Sequence, residues 1–260
     1  MSRYLLRVGV LGYLALILLV PVGFVFYRAF EHGFAYAWHA VTTPEALHAL
    51  WLTLLIAAIV VPVNTVVGVI LALWLVRGNF AGRGLVNAVV DLPLAISPVI
   101  VGLGLVLLYG RGGWLGGLAD HGLQILFALP GMVLATMFVS MPFVVREVVP
   151  VLREIGTEQE QAAETLGAAP FQVFRRVTFP AIRAAVAYGV VLTTARAIGE
   201  FGAVSAVAGN VEGKTQTLPL LVKAQFDGFD TTGAYASSVV LALIAIAVVV
   251  SLRVLQPKEH

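Results

Sequence analysis

Three sets of residues in this chain have the types and spacing that chemistry uses. Arg196 and Glu200 lie four positions apart in the apolar run "LTTARAIGEFGAVSAVAG". On a helix that spacing puts both side chains on one face. Ionisable groups in such a run are expensive and turn toward a bundle interior or a water cavity. Two roles fit the pair. Arg196 contributes to an anion path or gate and is held by Glu200, or the two form a structural ion pair that locks helices and touches no ligand. The second set is "AGNVEGKT", residues 208–215, which satisfies a relaxed phosphate-loop pattern. A phosphate loop needs a strand before it, a helix after it and a magnesium-binding Asp downstream. Here an apolar helix precedes the motif and "QTLPL" follows, with Pro219 close behind, so the pattern predicts a loop. The third set is the histidines. His32, His39, His48 and His121 are scattered, His260 ends the chain, and no HExxH spacing occurs. With no Cys in the chain, thiolate metal sites, disulfides and Cys nucleophiles are excluded. The expectation is no metal site and no catalytic residue in this chain.

The elements that must position these residues are membrane helices. The chain has 260 residues, 60% hydrophobic and 12% charged, with a mean hydropathy of +0.96. Soluble domains carry about 25% charged residues. A net charge of +2 gives no case for a nucleic-acid partner. Six apolar segments reach the length of about 20 residues that a helical span requires: 8–27, 51–76, 86–109, 126–145, 181–208 and 234–255. Runs such as "LTLLIAAIVVPVNTVVGVILALWLV" do not alternate, which excludes a membrane β-barrel. The reading is an all-α integral membrane protein, one domain over 1–260. The first segment is too long for a signal-peptide apolar core and no small-residue cleavage site follows it, so it is read as a retained helix.

With both termini inside, eleven of the 16 Lys and Arg fall in inner segments: Arg3, Arg7, Arg77, Arg83, Arg146, Arg153, Arg175, Arg176, Arg183, Arg253 and Lys258. Only Arg28, Arg111, Lys214 and Lys223 fall outside, the bias expected of cytoplasmic loops. Asp91, near Pro93 and Pro98, is placed to cap the third span or to pair with a cytoplasmic Arg. Gly199 and Gly202 flank Glu200 and allow close helix contact.

One long inner segment is polar: "EQEQAAETLGAAPFQVFRRVTFP", residues 158–180. Thr157 and Glu160 have the spacing of a capping box, which predicts a helix over 158–166 ending at Gly167. Ala162, Ala163 and Leu166 would share one face. Pro170 suits the start of a second short helix, carrying Phe171, Phe174, Arg175 and Arg176, and Pro180 would mark the turn into the fifth span. By pattern alone this is an amphipathic loop at the membrane surface.

Gln161-Ala162-Ala163, three residues, Gly167, nine residues and Val177-Thr178-Phe179-Pro180 resemble the EAA loop of ABC importer permeases, E-A-A-x3-G-x9-I-x-L-P. The chain departs from it at Gln161, where the family has Glu, and at Val177 and Phe179. "ARAIGEFGAVS", "GKTQTLPL", "DLPLAISPVIVGL", "YGRGGWLG" and "FALPGMVLATMFVSMPFVVREV" are similar to the W-type permease subunits of bacterial sulfate/thiosulfate importers. The resemblance covers most of residues 50–250. It implies six spanning helices in the type I importer permease (MetI-like) fold, with a cytoplasmic coupling loop at about 150–180. In that loop Glu160, Gln161, Ala162, Ala163, Glu164, Leu166 and Gly167 would couple to the ATPase. It further implies the bacterial inner membrane, a heterodimer with a T-type permease, two ATPase subunits that bind the ATP and magnesium, and an extracytoplasmic sulfate-binding protein. Molybdate or tungstate permeases share the architecture. An ion-coupled secondary transporter or a membrane enzyme fits less well, since neither an internal repeat nor a nucleophile–base pair is visible.

Overall fold

The computed structural model describes residues 3–118 and 120–255. Lys258 and His260 lie outside the described residues, as do the side chains of Arg3 and Arg253. The first span is one helical run, α1 (Arg3–Leu14) and α2 (Val20–Phe30), joined through a π-helical stretch at Ala15–Leu19. A short α3 (Phe34–Val41) follows, its Phe34 stacked between Phe30 and Trp38 with ring centroids at 6.0 and 6.2 Å. The second span, α4 (Pro44–Arg77), begins seven residues before the predicted 51. Thr43 caps it by accepting the Ala46 N–H at 3.2 Å, and Pro44 sits at its first position, where no N–H is needed. Hydropathy alone misses this polar first turn.

The third span is broken. In place of a single helix over 86–109 the chain forms α5 (Arg83–Ala95) and α6 (Pro98–Tyr109), bent by 109°. Pro98 drives Ser97 into an extended conformation (φ −59°, ψ 133°), and Ile96 before it is extended too. The fourth, α7 (Leu129–Glu154), starts after the predicted 126 and runs through Pro142 and Pro150, well past the predicted 145.

After α7 come α8 (Glu158–Thr165) and α9 (Pro170–Val173), then a π turn at Phe174–Thr178 and α10 (Phe179–Ile198). The chain does not turn at Pro180. The Phe179 N–H reaches back to Phe174 O, and this π register carries the helix from Pro170 straight through Pro180, which has no N–H to offer. At the far end the fifth span is shorter than the predicted 181–208. It stops at Ile198, and after Gly199–Phe201 the chain resumes as α11 (Gly202–Val207). Then α12 (Leu218–Asp227) and the last span, α13 (Thr231–Leu255), complete the described chain.

The core is the packing of α4, α7 and α10. Toward one end Val69, Ala72 and Leu75 meet Val144, Val148, Leu152 and Ile182; toward the other Leu52, Ile56 and Val60 meet Met132, Ala135, Val139, Ile198 and Val204. Val144 is the junction. A Cβ at Gly68 of α4 would lie 2.7 Å from its Cβ, and one at Gly189 of α10 would lie 2.8 Å from its Cα. Glycine is therefore required on both neighbours for three backbones to converge. Asn64, buried on α4, donates to Met137 O and to Ser140 Oγ, both at 2.9 Å, so the polar group is satisfied inside the bundle. The first span stands apart, almost wholly exposed, and touches α13 through pairs such as Phe24 and Tyr235.

Candidate functional site

The polar segment sits where α4 and α7 end. Gly156, at φ +63°, turns the chain out of α7, and α8 follows with no buried residue of its own. Gly167, at φ +85°, closes α8: its N–H donates to Glu164 O at 2.9 Å, and the Ala168 N–H to Ala163 O at 3.1 Å. These two bonds are the Schellman pattern. Thr157 does not act as the predicted capping box. Its backbone lies in the right-handed helical region (φ −116°, ψ −1°) instead of the extended one an N-cap uses, so its side chain accepts no backbone N–H and takes the Gln161 amide at 3.2 Å, while Glu160 is engaged elsewhere.

Glu160 faces the bundle. Its Oε1 accepts the Thr178 hydroxyl at 2.7 Å and Arg77 Nη2 at 3.3 Å. Arg77 Nε lies 2.9 Å from Oε2, an ion-pair contact off the N–H axis. The same guanidinium donates to Leu152 O at 3.1 Å and to Gly156 O at 2.6 Å, satisfying carbonyls at the end of α7. Arg77 and Glu160 keep only 21% and 17% of their side-chain surface in contact with solvent. Of the residues assigned to coupling, Gln161, Ala162, Glu164, Leu166 and Gly167 are exposed, Leu166 at 89%, whereas Glu160 and Ala163 turn inward. Of Ala162, Ala163 and Leu166, expected on one face, only Ala163 is partly covered.

Arg196 and Glu200 lie in a second region. Eighteen residues of helix separate Arg196 from Thr178, about 27 Å at 1.5 Å per residue. The two are not on one continuous helix. Arg196 closes α10, and Glu200 sits in the break, its Oε1 accepting the Ala203 N–H at 2.7 Å at the start of α11. Arg196 Nη2 still lies 2.8 Å from Glu200 Oε2, with Glu200 1% exposed and Arg196 31%. The break is braced by α6: a Cβ on Gly202 would lie 2.9 Å from Pro98 Cβ, and one on Gly102 2.5 Å from Ala203 O. The two broken spans therefore pack on each other beside their breaks, with Gly202 next to Glu200. Asp91 pairs with Arg146 of α7, which also donates to Asn87 at 3.3 Å.

The phosphate-loop match lies in turns between α11 and α12, with a helix rather than a strand before it. Thr215 Oγ1 accepts the Val211 N–H at 3.1 Å, so the hydroxyl that would meet magnesium is used within the loop. The residues do not fit a nucleotide. Among the described residues no group of three or more His, Cys, Asp or Glu is placed to hold a metal ion. His32 faces the Thr232 hydroxyl at 3.2 Å. Sequence reasoning missed the partners of Glu160. Arg77 entered only the count of inner charges, and Thr178 only the pattern of the loop; nothing in the local sequence joins residues 83 positions apart.

Residues 64–258 match the family model described as "Binding-protein-dependent transport system inner membrane component". The chain is 49% identical to the sulfate transport system permease protein CysW of Synechocystis sp., over 98% of this chain and 93% of that protein. It is 50% identical to the protein of the same name from Escherichia coli K12, over 94% and 84%. With the sulfate transport system permease protein CysT of Salmonella typhimurium the identity is 37%, over 95% and 89%. A crystal structure of a bacterial ABC transporter that imports the acidic polysaccharide alginate has a chain of the same fold, with a TM-score of 0.79 over 96% of this chain, 93% of that one and 18% identity. The same score is found with the alginate transporter in complex with its periplasmic protein, over 96% and 91% of the two chains, again at 18% identity.

Proposed function

The chain belongs to the family of binding-protein-dependent transport system inner membrane components, and from that premise we propose that it is the W-type membrane-spanning permease subunit of an ATP-driven sulfate importer. The observation that carries this is identity near one half to sulfate permeases along almost the whole chain. In this reading thiosulfate is a second substrate, a T-type permease completes the membrane dimer, and two ATPase subunits bind the ATP and magnesium. An extracytoplasmic binding protein delivers the anion. Both termini and the Arg77 end of the bundle are cytoplasmic, supported by the excess of Arg on inner segments.

Transport proceeds by alternating access. The exposed surface of α8, with Gln161, Ala162, Glu164 and Leu166, docks in a groove of the ATPase and follows its closure on ATP. Leu166, which caps the C-terminal end of α8, is 89% exposed beside these polar side chains. Arg196 lies on the anion path. It is one-third exposed in the last turn of α10, and ionisable groups in spanning segments turn toward a water cavity or a partner, so this face of α10 meets water or the second permease. Glu200 holds the guanidinium and keeps it from trapping the anion.

The test is ATP-dependent uptake of labelled sulfate by the reconstituted complex, with unlabelled molybdate as competitor. Uptake that ignores a modest molybdate excess is the expected result. Block by trace molybdate would make the substrate molybdate, and sulfate uptake without ATP would overturn the mechanism. Arg196→Gln should lower uptake at unchanged yield of the complex; wild-type uptake would remove it from the path.

A further inference from the structure

The helix that carries the docking surface is poorly fastened by ordinary means. α8 has eight residues, none buried, and helices that short are marginal without tertiary support. At each end stands a glycine in the left-handed region, Gly156 at φ +63° and Gly167 at φ +85°, both with open space around the missing Cβ. A short rod between two such points swings unless something holds it.

One side chain does. Glu160 is the only carboxylate of α8 that faces inward; Glu158 and Glu164 are exposed. Through Arg77 it is tied to the last turn of α4 and, by way of Leu152 O and Gly156 O, to the end of α7. Through the hydroxyl of Thr178, 3% exposed, it is tied to the π turn that leads into α10. Three spanning helices and α8 thus meet on the Arg77–Glu160 pair and Thr178.

We propose that Arg77, Glu160 and Thr178 form a joint that makes α8 move as one body with α4, α7 and α10, and that Glu160 is a positioning residue and not a contact to the ATPase. This rests on the importer reading for its role, but the joint itself has a readout that does not. A displacement imposed on the exposed face of α8 is absorbed by the glycines when the joint is open, and passed to the spans when it is closed. Ion pairs between elements resist relative motion in a way that pairs within one helix cannot, because both ends of a local pair move together.

The experiment uses the assembled complex with both ATPase subunits in detergent and in liposomes. Amide hydrogen exchange over 158–165 and ATP hydrolysed per sulfate imported are measured for wild type, Glu160→Gln, Thr178→Val and Thr178→Ser. Glu160→Gln and Thr178→Val should speed exchange in α8 and raise the ATP-to-sulfate ratio, each by about tenfold, at unchanged subunit stoichiometry. Thr178→Ser, which keeps the donor, should stay within about twofold of wild type. Wild-type exchange and ratio in both Glu160→Gln and Thr178→Val would overturn the joint. So would loss of the ATPase subunits from Glu160→Gln with exchange unchanged, since that outcome makes Glu160 a direct contact. A wild-type complex that imports no sulfate would defeat the importer reading alone, and exchange in α8 would still decide the joint.

Discussion

The two ends of the bundle are fastened differently. At the Arg77 end an ion pair joins residues 83 positions apart, on α4 and α8, with both side chains mostly shielded. At the other end the ion pairs are local. Arg28 pairs with Glu31 three residues on, with side chains 45% and 37% exposed, and Lys223 pairs with Asp227 four residues on. Contacts across elements there include hydrogen bonds with no ion pair, such as His32 with Thr232 and the Leu218 N–H with Thr53 Oγ1 at 2.8 Å. Tight backbone packing does the remaining work. Loop 110–118 folds back on the end of α6, where a Cβ on Gly113 would lie 2.2 Å from Leu107 O, and it presents Trp114 at 95% exposure. A pair within one helix stabilises a turn, whereas a pair between elements fixes their relation. One end is tied across elements, and the other is joined by local pairs and close backbone packing.

The sharpest break of this comparison is Arg77→Met set beside Arg28→Met. Removing Arg77 leaves Glu160 without its cation and two carbonyls without a donor, a loss of about 2–4 kcal/mol at a site this shielded. A clear fall in the melting temperature of the purified complex is expected, and no measurable fall for Arg28→Met. Equal shifts would erase the distinction between the ends. Next in size is Gly167→Leu. Its Cβ would meet nothing, so the penalty is backbone strain at φ +85°, about 1–2 kcal/mol, enough to open the end of α8. Sulfate uptake should drop several-fold in an assembled complex, and Gly167→Asn should recover part of it. Uptake at the wild-type level in Gly167→Leu would mean that the left-handed closure of α8 is not used.

Much of this was legible in the sequence because it is local. Apolar length gives the spans, Gly167 gives the end of α8, and Pro170 gives the start of α9. What misled was also local. Thr157 and Glu160 have capping-box spacing, but an Arg from 83 residues away competes for the carboxylate and wins. Arg196 and Glu200 have helical spacing, yet the pair forms across the end of a helix, where the Ala203 N–H draws Glu200 into a cap. Hydropathy sees composition and not direction, so it merged α5 with α6 and α10 with α11. The prolines and glycines at those breaks were visible, but a proline also lies inside α4 and two inside α7, which run on unbroken. Neighbours decide which of them breaks a helix.

At the opposite end the comparison is sharpened by Trp114→Ala. Trp is enriched among the residues that dominate protein interfaces, and truncation should weaken docking of the binding protein proposed above by about tenfold, or about 1.4 kcal/mol. A titration of that protein onto the complex in nanodiscs reads this directly. Unchanged affinity would leave Trp114 as a headgroup anchor of the kind found in aromatic belts.

The smallest effect belongs to Glu31. The hydrogen bond from Arg28 holds its carboxyl below the usual carboxylate range, although the pair stands in solvent. A depressed folded pKa contributes stability above the unfolded value and loses it as pH falls through the folded one. The contribution of this pair should therefore be lost only below the ordinary carboxylate value of 4.5 and be screened by salt. Following the Glu31 carboxyl by NMR with pH, in wild type and Arg28→Gln, checks it: the variant should titrate higher. Identical titrations would show that this pair does not form in solution, and the opposite end would then rest on neutral contacts and backbone packing even more than the Arg77 end rests on charge.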